Sequence, residues 1–188
     1  LKTLIAKPTS ACTARCPTCS GRKNLHQQLR KEQQLSFDDW ARVFADAKSL
    51  GAVDLHLSGG EPTLYTRLPE LIALGKGHGW TVSLNTNGSR ISATYAESLL
   101  RAGLDKVMVS LYSADPAVFD AMRGSRGMWH KATEAVRIFS GLRRKHPGFT
   151  VTTQSILCRE NFEELPELID LHRTLGSQGM HLSYLEGD

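Results

Sequence analysis

Short apolar runs alternate with amphipathic segments along the chain. The runs have the length and pattern of strands and cover residues 3–6, 53–57, 81–85, 106–111, 150–157 and 180–185. Helix signals fill the intervals: an N-cap at Ser36, apolar stripes over 68–74 and 94–102, a helix from Asp115 to 143–145, and another from Asn161 to Leu175. This alternation predicts an α/β fold with a parallel sheet, an incomplete barrel rather than the closed eightfold form.

Three cysteines, Cys12, Cys16 and Cys19, follow the first predicted strand with the spacing C-x3-C-x2-C. The same spacing would suit three buried thiols on one helical face, but Pro17 opposes a helix here. A structural zinc site would need a fourth ligand close by. A [4Fe–4S] cluster can take three thiolates and keep one iron open, so the spacing predicts cluster ligands.

A turn with the sequence Gly59-Gly60-Glu61-Pro62 ends the second predicted strand. Glycines at a strand end let the backbone approach a ligand closely, and their amides and carbonyls can bind its polar groups. Such a turn is weak evidence alone, because similar residues punctuate ordinary strand ends. It becomes strong evidence because it occurs in the same chain as the cysteine motif.

Together, these cysteines and this turn resemble the radical S-adenosylmethionine (radical SAM) superfamily over essentially the whole chain. The resemblance implies a partial (β/α)6 TIM-like barrel, with the site at the carboxyl ends of the parallel strands. It implies two cofactors, a [4Fe–4S] cluster and SAM. It also implies the reaction, in which reductive cleavage of SAM yields a 5′-deoxyadenosyl radical that abstracts a hydrogen atom from the substrate.

The resemblance also implies cofactor contacts beyond the cysteines. The backbone of Gly60 matches the position that meets the amino group of SAM, and Gly59 and Glu61 belong to the same motif. Ser110 matches a family serine that contacts the ribose or the carboxylate of SAM. The structural alternative is a strand residue whose hydroxyl is hydrogen-bonded within the protein. Arg123 resembles an arginine that pairs with the methionyl carboxylate, with a solvated helix end as the alternative.

Four further residues are candidates for lining the cofactor pocket. Thr18 stands where the family often has an aromatic residue near the adenine, and we expect it still to line the nucleoside. Asn85 ends the third predicted strand and Asn87 follows it, although turn formation alone would explain Asn87. Gln154 lies on the fifth strand.

The second strand also supplies candidates for substrate contact. Asp54, His56 and Ser58 share one strand face, whereas Val53, Leu55 and Leu57 share the other. Because helices cover the outside of such a barrel, the polar face is predicted to point inward. We therefore expect His56 and Asp54 to shape the substrate pocket, although a lone histidine is more often structural.

Composition sets the broad class. The 188 residues are 40% hydrophobic with a net charge of +4, which suits one compact domain, 1–188, without a membrane span or signal peptide. A cytoplasmic location is expected, with Cys158 as a structural thiol. Basic residues at 22–23 and 30–31 suit an anionic substrate or an acidic reductant such as flavodoxin or ferredoxin, and no nucleic-acid motif is present.

Two interpretations remain open. The first is a radical SAM enzyme core, a fragment expected to lack a carboxy-terminal extension, which acts on a peptide or small molecule. The second is a binding or electron-transfer protein that keeps an Fe–S or zinc centre without radical chemistry.

Overall fold

One parallel β-sheet forms the centre of the protein in the computed structural model, which describes residues 1–19 and 34–184. Within these residues, six parallel strands are hydrogen-bonded in chain order. They are β1 (Thr3–Ala6), β2 (Asp54–Leu57), β3 (Thr81–Thr86), β4 (Lys106–Ser110), β5 (Thr150–Leu157) and β6 (Gly179–Tyr184). The predicted strands are confirmed, with ends that shift by a residue; Leu185, which we placed in the last strand, lies outside the described residues.

Helices connect the strands. They are α1 (Phe37–Ser49), α2 (Leu68–Gly77), α3 (Ala93–Arg101), α4 (Pro116–Arg123), α5 (Met128–Leu142) and α6 (Leu165–Thr174). The Ser36 hydroxyl accepts from the N–H of Asp39 at 3.1 Å, and the Asp39 carboxylate accepts from the N–H of Ser36 at 3.0 Å. This reciprocal pair is the predicted capping box, and it fixes where α1 begins.

The helix predicted from Asp115 to 143–145 is two helices. Asp115 caps α4 as expected, because its carboxylate accepts from the N–H groups of Ala117 and Val118. Gly124 and Gly127 then adopt positive φ angles of 59° and 72°, which end α4 and start α5 in a new direction. Residues 143–145 form a separate 3-10 turn.

The cap predicted at Asn161 is wrong. A 3-10 turn, Phe162–Glu164, follows it, and α6 begins only at Leu165 without a side-chain cap. The Asn161 side chain is buried and donates instead to the carbonyls of Tyr112 at 2.6 Å and Ile156 at 2.8 Å. A cap-type residue here joins the segments that end β4 and β5.

The two faces of the sheet differ in polarity. The face under the helices carries fully buried apolar residues on the central strands, and it forms one core with the apolar stripes of the helices: Leu55, Leu57, Val82, Leu84, Val107, Val109, Val151, Phe44, Leu99 and Phe139. Strand parity places polar residues on the opposite, inner face. Burial of each large core side chain contributes about 1.5–3 kcal/mol, so this pattern fixes which face points inward.

No helix in residues 1–19 and 34–184 has the length and apolar character needed to cross a membrane.

Candidate functional site

The loop after β1 carries Cys12, Cys16 and Cys19 and is called the cysteine loop here. It lies against the glycine turn, Gly59-Gly60-Glu61, that follows β2. The N–H of Gly60 donates to the carbonyl of Thr9 at 2.9 Å, and the N–H of Glu61 donates to that of Ala11 at 2.7 Å. A Cβ atom at Gly60 would lie 2.2 Å from the Ala11 oxygen. Glycine is therefore required here so that two backbone segments can touch, and the segment next to Gly60 is the one that carries the cysteines.

The other side of the loop is tied to the end of α4. The N–H of Arg15 donates to the carbonyl of Arg123 at 2.9 Å, and a Cβ at Gly124 would lie 2.3 Å from the Arg15 carbonyl oxygen. The loop is thus held between the carboxyl end of β2 and the carboxyl end of α4. Neither contact was visible in the sequence.

The Cys16 thiol responds to its surroundings. Burial raises the pKa of the Cys16 thiol, the Arg123 guanidinium lowers it, and the neighbouring thiols of Cys12 and Cys19 raise it further. Cys12 and Cys19 are exposed, whereas Cys16 is half-buried. Three thiol donors on one short loop beside a guanidinium fit an anionic Fe–S centre, since each thiolate needs its charge offset.

Across the described residues, no set of three or more His, Cys, Asp or Glu side chains is arranged so that it could hold a single metal ion. A [4Fe–4S] cluster makes a different demand, because each of its cysteine ligands binds a different iron. The backbone hydrogen bonds to Thr9 and Ala11 and from Arg15 hold the loop that would present these thiols.

Glu61 forms a buried clamp between β2 and β3. Its side chain belongs to a residue that is only 1% exposed, and one carboxylate oxygen accepts from the N–H and hydroxyl of Thr63 and from the hydroxyl of Thr86. The other oxygen accepts from the N–H of Asn87 at 2.7 Å. The carboxylate of Glu61 holds the strand ends together. Contact of this residue with the cofactor stays a prediction.

Asn87 reaches the cysteine loop. Its amide nitrogen donates to the Thr13 hydroxyl at 3.0 Å and to the Cys12 sulfur at 3.6 Å. Its oxygen accepts from the N–H of Ser89 at 2.9 Å, so the turn that we gave as an alternative role is also present. The Asn87 side chain therefore contacts Cys12, a candidate ligand of the cluster, directly.

Arg123 is buried, with 5% exposure, so the alternative of a solvated helix end is wrong. Its guanidinium lies 5.0 Å from the centre of the Tyr112 ring, a cation–π contact. Its Nε has no hydrogen-bond partner in the described part of the chain. A buried, partly unpaired guanidinium next to the cysteine loop fits a carboxylate partner.

The remaining cofactor candidates spread along the same edge. Ser110 and Gln154 are paired neighbours on β4 and β5, and both are half-buried on the inner face. Asn85 lies on that face of β3, and its side-chain oxygen is buried without a partner in the described residues. Thr18 is exposed on the loop.

His56 and Asp54 line a cavity of about 290 Å³ on the inner face, together with Thr3, Ile5, Thr81, Ser83 and Lys106. The inward orientation predicted from parity agrees with this placement. The Nδ1 atom of His56 lies 2.8 Å from the Ser83 hydroxyl, and that hydroxyl donates to the Leu55 carbonyl at 3.3 Å. Burial lowers the pKa of His56.

The cavity lies at the amino-terminal end of the sheet, away from the cysteine loop, because Thr3, Asp54, Thr81 and Lys106 are the first residues of β1, β2, β3 and β4. The structure therefore separates the cofactor candidates at the carboxyl ends of the strands from this cavity. Sequence reasoning missed Ser83 and Lys106, although both share the strand parity that identified His56.

The comparison with family models decides the classification. Residues 6–172 match the model of the Radical SAM superfamily. The chain belongs to the radical SAM superfamily. Radical SAM proteins use a [4Fe–4S] cluster and SAM, the two cofactors that the resemblance implied. Membership of the superfamily supports the enzyme interpretation rather than the alternative.

Two of the similar proteins are a peptide cyclase and a protein crystallised with a precursor peptide. The PqqA peptide cyclase of Streptomyces rochei is 33% identical over 180 residues, which cover 96% of this chain and 47% of that protein. The crystal structure of Streptococcus suis SuiB bound to its precursor peptide SuiA has a TM-score of 0.81 at 19% identity, over 98% of this chain and 39% of SuiB. The chain thus spans about half the length of the curated relatives. The SuiB likeness confirms the partial-barrel fold.

Proposed function

We propose that this chain is the catalytic core of a radical SAM enzyme that modifies a peptide. The observation that carries the proposal is the cysteine loop, which is held between the Gly60–Glu61 backbone and the carbonyl of Arg123. The names of two similar proteins, a peptide cyclase and a precursor-peptide complex, support a peptide rather than a small molecule.

The chemistry that a bound cluster and SAM supply is hydrogen abstraction by a 5′-deoxyadenosyl radical. In the proposed site, Cys12, Cys16 and Cys19 ligate the cluster. Arg123 pairs with the carboxylate of SAM, since its buried guanidinium has an unpaired Nε. The backbone of Gly59 and Gly60 would meet the amino group, and Thr18, Asn85, Ser110 and Gln154 would line the nucleoside.

The substrate would extend along the inner face of the sheet into this cavity. His56, Asp54 and Lys106 offer it a hydrogen-bond acceptor, a carboxylate and an ammonium group within one polar space. Because the Ser83 hydroxyl donates to the Leu55 carbonyl, it is left to accept from Nδ1–H of His56. The Nε2 atom then keeps its lone pair for an N–H or O–H group of the substrate.

We also infer a cytoplasmic location and a low-potential reductant of the flavodoxin or ferredoxin class. The four cysteines are free thiols, which suits a reducing compartment. The net charge of +4 favours an acidic donor. The basic residues at 22–23 and 30–31 lie outside the described residues.

Anaerobic reconstitution with iron and sulfide tests the proposal. The wild-type protein should gain the visible absorbance of a cluster and, with a low-potential reductant, cleave SAM to 5′-deoxyadenosine. Replacement of Cys12, Cys16 or Cys19 by alanine should abolish both. Cys158→Ala, which removes a half-buried thiol just after β5, should abolish neither. A cluster that leaves SAM intact would support the electron-transfer alternative instead.

A further inference from the structure

We propose that Asn87 tunes the reduction potential of the cluster by donating an N–H···S hydrogen bond to Cys12. This inference rests on the proposed function, because it takes Cys12 as a cluster ligand. Its starting point is the distance of 3.6 Å between the Asn87 amide nitrogen and the Cys12 sulfur. Asn87 is a positioning residue here, since it acts on the iron only through a ligand.

The orientation of the Asn87 amide is fixed by its neighbours. The N–H of Ser89 can only donate, so the atom 2.9 Å from it must be the Asn87 oxygen. The NH₂ group therefore faces the cysteine loop. It has two hydrogens and two acceptors, the Thr13 hydroxyl at 3.0 Å and the Cys12 sulfur.

The backbone of Asn87 is equally constrained. Its N–H donates to the buried carboxylate of Glu61 at 2.7 Å, and the residue itself is only 4% exposed. Glu61 is joined in turn to the cysteine loop, because its own N–H donates to the Ala11 carbonyl at 2.7 Å. One clamp thus sets the position of both the donor amide and the loop that bears the sulfur.

The direction of the effect follows from charge. Reduction adds negative charge to a cluster and its thiolates, so a hydrogen bond to a ligand sulfur stabilises the reduced state more than the oxidised state. The Asn87 contact should therefore make the cluster easier to reduce. Loss of the donor should shift the midpoint potential to a more negative value.

Asn87→Asp is the sharpest variant, because its carboxylate can still accept from the N–H of Ser89 but has no hydrogen to give to Cys12. Asn87→Ala removes the donor without adding charge. Ser89→Ala is the matched control, since it deletes the hydroxyl that contacts Thr13 and leaves the Asn87 amide intact. The readout is a redox titration followed by EPR, without SAM or substrate.

With iron content equal to wild type, Asn87→Ala should lower the ratio of reduced to oxidised cluster at a fixed potential by roughly fivefold. Asn87→Asp should lower it further, and Ser89→Ala should leave it unchanged. Unchanged potentials in both Asn87 variants would overturn the inference while leaving the proposed function intact. A wild-type protein that assembles no cluster would instead overturn the proposed function.

A measurement on the unaltered side chain covers variants that fail to load iron. Protein labelled with ¹⁵N in its asparagine side chains should show nitrogen hyperfine coupling to the reduced cluster by pulsed EPR. The coupling should persist in Asn85→Ala, which removes the asparagine of β3 that lies two residues before Asn87. Absence of the coupling in the loaded wild-type protein would rule out the hydrogen bond.

Discussion

The backbone N–H of Arg15 donates a 2.9 Å hydrogen bond to the carbonyl oxygen of Arg123. This bond joins the middle of the cysteine loop to the residue that carries the buried guanidinium. The pKa of Cys16 responds to that guanidinium, so the two segments also interact through charge. The proposed ligands of the cluster and of the SAM carboxylate are therefore parts of one connected unit.

Replacement of Gly124 by alanine should displace the cysteine loop. The new Cβ would lie 2.3 Å from the Arg15 carbonyl oxygen, and backbone atoms there cannot rotate away. We expect iron content after reconstitution to fall severalfold. The positive φ of 59° should also cost about 1–2 kcal/mol of unfolding free energy.

Gly127→Ala is the matched control for Gly124→Ala. Gly127 has a similar positive φ of 72°, but a Cβ there meets no atom within 4 Å. It should lose comparable stability and keep its iron. Equal iron loss in both variants would show that backbone strain alone, and not contact with the loop, explains the effect.

Replacement of Glu61 by glutamine should destabilise the fold. The carboxylate accepts from donors on Thr63, Thr86 and Asn87, whereas an amide offers only one accepting oxygen. In either amide orientation at least one buried donor loses its partner, which costs about 1–3 kcal/mol. Urea denaturation of the apo-protein measures this loss.

Glu70→Gln is the control for Glu61→Gln. Glu70 is half-exposed and forms a surface ion pair with Arg67 at 3.4 Å. Surface pairs of this kind contribute about 0–1 kcal/mol, so the control should stay close to wild type. Equal stability of the two variants would contradict the clamp role of Glu61.

Local patterns predicted the strands, the cap at Ser36 and the inward face of His56, because each depends on residues close together in the chain. The contacts that build the site join distant segments. Glu61 meets Thr86 and Asn87, and Arg15 meets Arg123, so periodicity carries no signal for them. Asn161 shows the same limit. Its short polar side chain predicts a helix cap, but in the structure it donates to the carbonyl of Tyr112, which lies 49 residues earlier in the chain.

Replacement of His56 by alanine should separate radical generation from substrate turnover. The residue lines the inner cavity and does not belong to the cysteine loop. We expect wild-type iron content and wild-type SAM cleavage without substrate, but at least about tenfold slower substrate modification. Burial lowers the pKa of His56, which favours the neutral imidazole that this acceptor role needs.

Two variants sharpen the His56 experiment. Ser83→Ala should have a weaker effect in the same direction, since it frees Nδ1 but keeps the imidazole. His78→Ala removes a histidine that stacks on Trp80 outside the cavity and should not slow turnover. Normal turnover in His56→Ala would exclude a substrate role for His56.

The buried His172 should make stability depend on pH. It is 4% exposed, its Nδ1 has no hydrogen-bond partner in the described residues, and burial lowers its pKa to about 4. An unfolded histidine has a pKa near 6.5. Between these two values the unfolded state binds more protons than the folded state. The neutral His172 therefore makes its full contribution to the unfolding free energy above about pH 6.5, and this contribution is lost as the pH falls toward 4.

Replacement of His172 by leucine tests this linkage. The loss of unfolding free energy between pH 7 and pH 5 should be about 2 kcal/mol smaller in His172→Leu than in wild type. At pH 7 the variant should keep most of its stability, because an apolar side chain leaves no unpaired buried nitrogen. His130→Leu, at an exposed position, should retain the wild-type pH dependence. If His172→Leu loses as much unfolding free energy between pH 7 and pH 5 as wild type does, other groups cause the acid sensitivity.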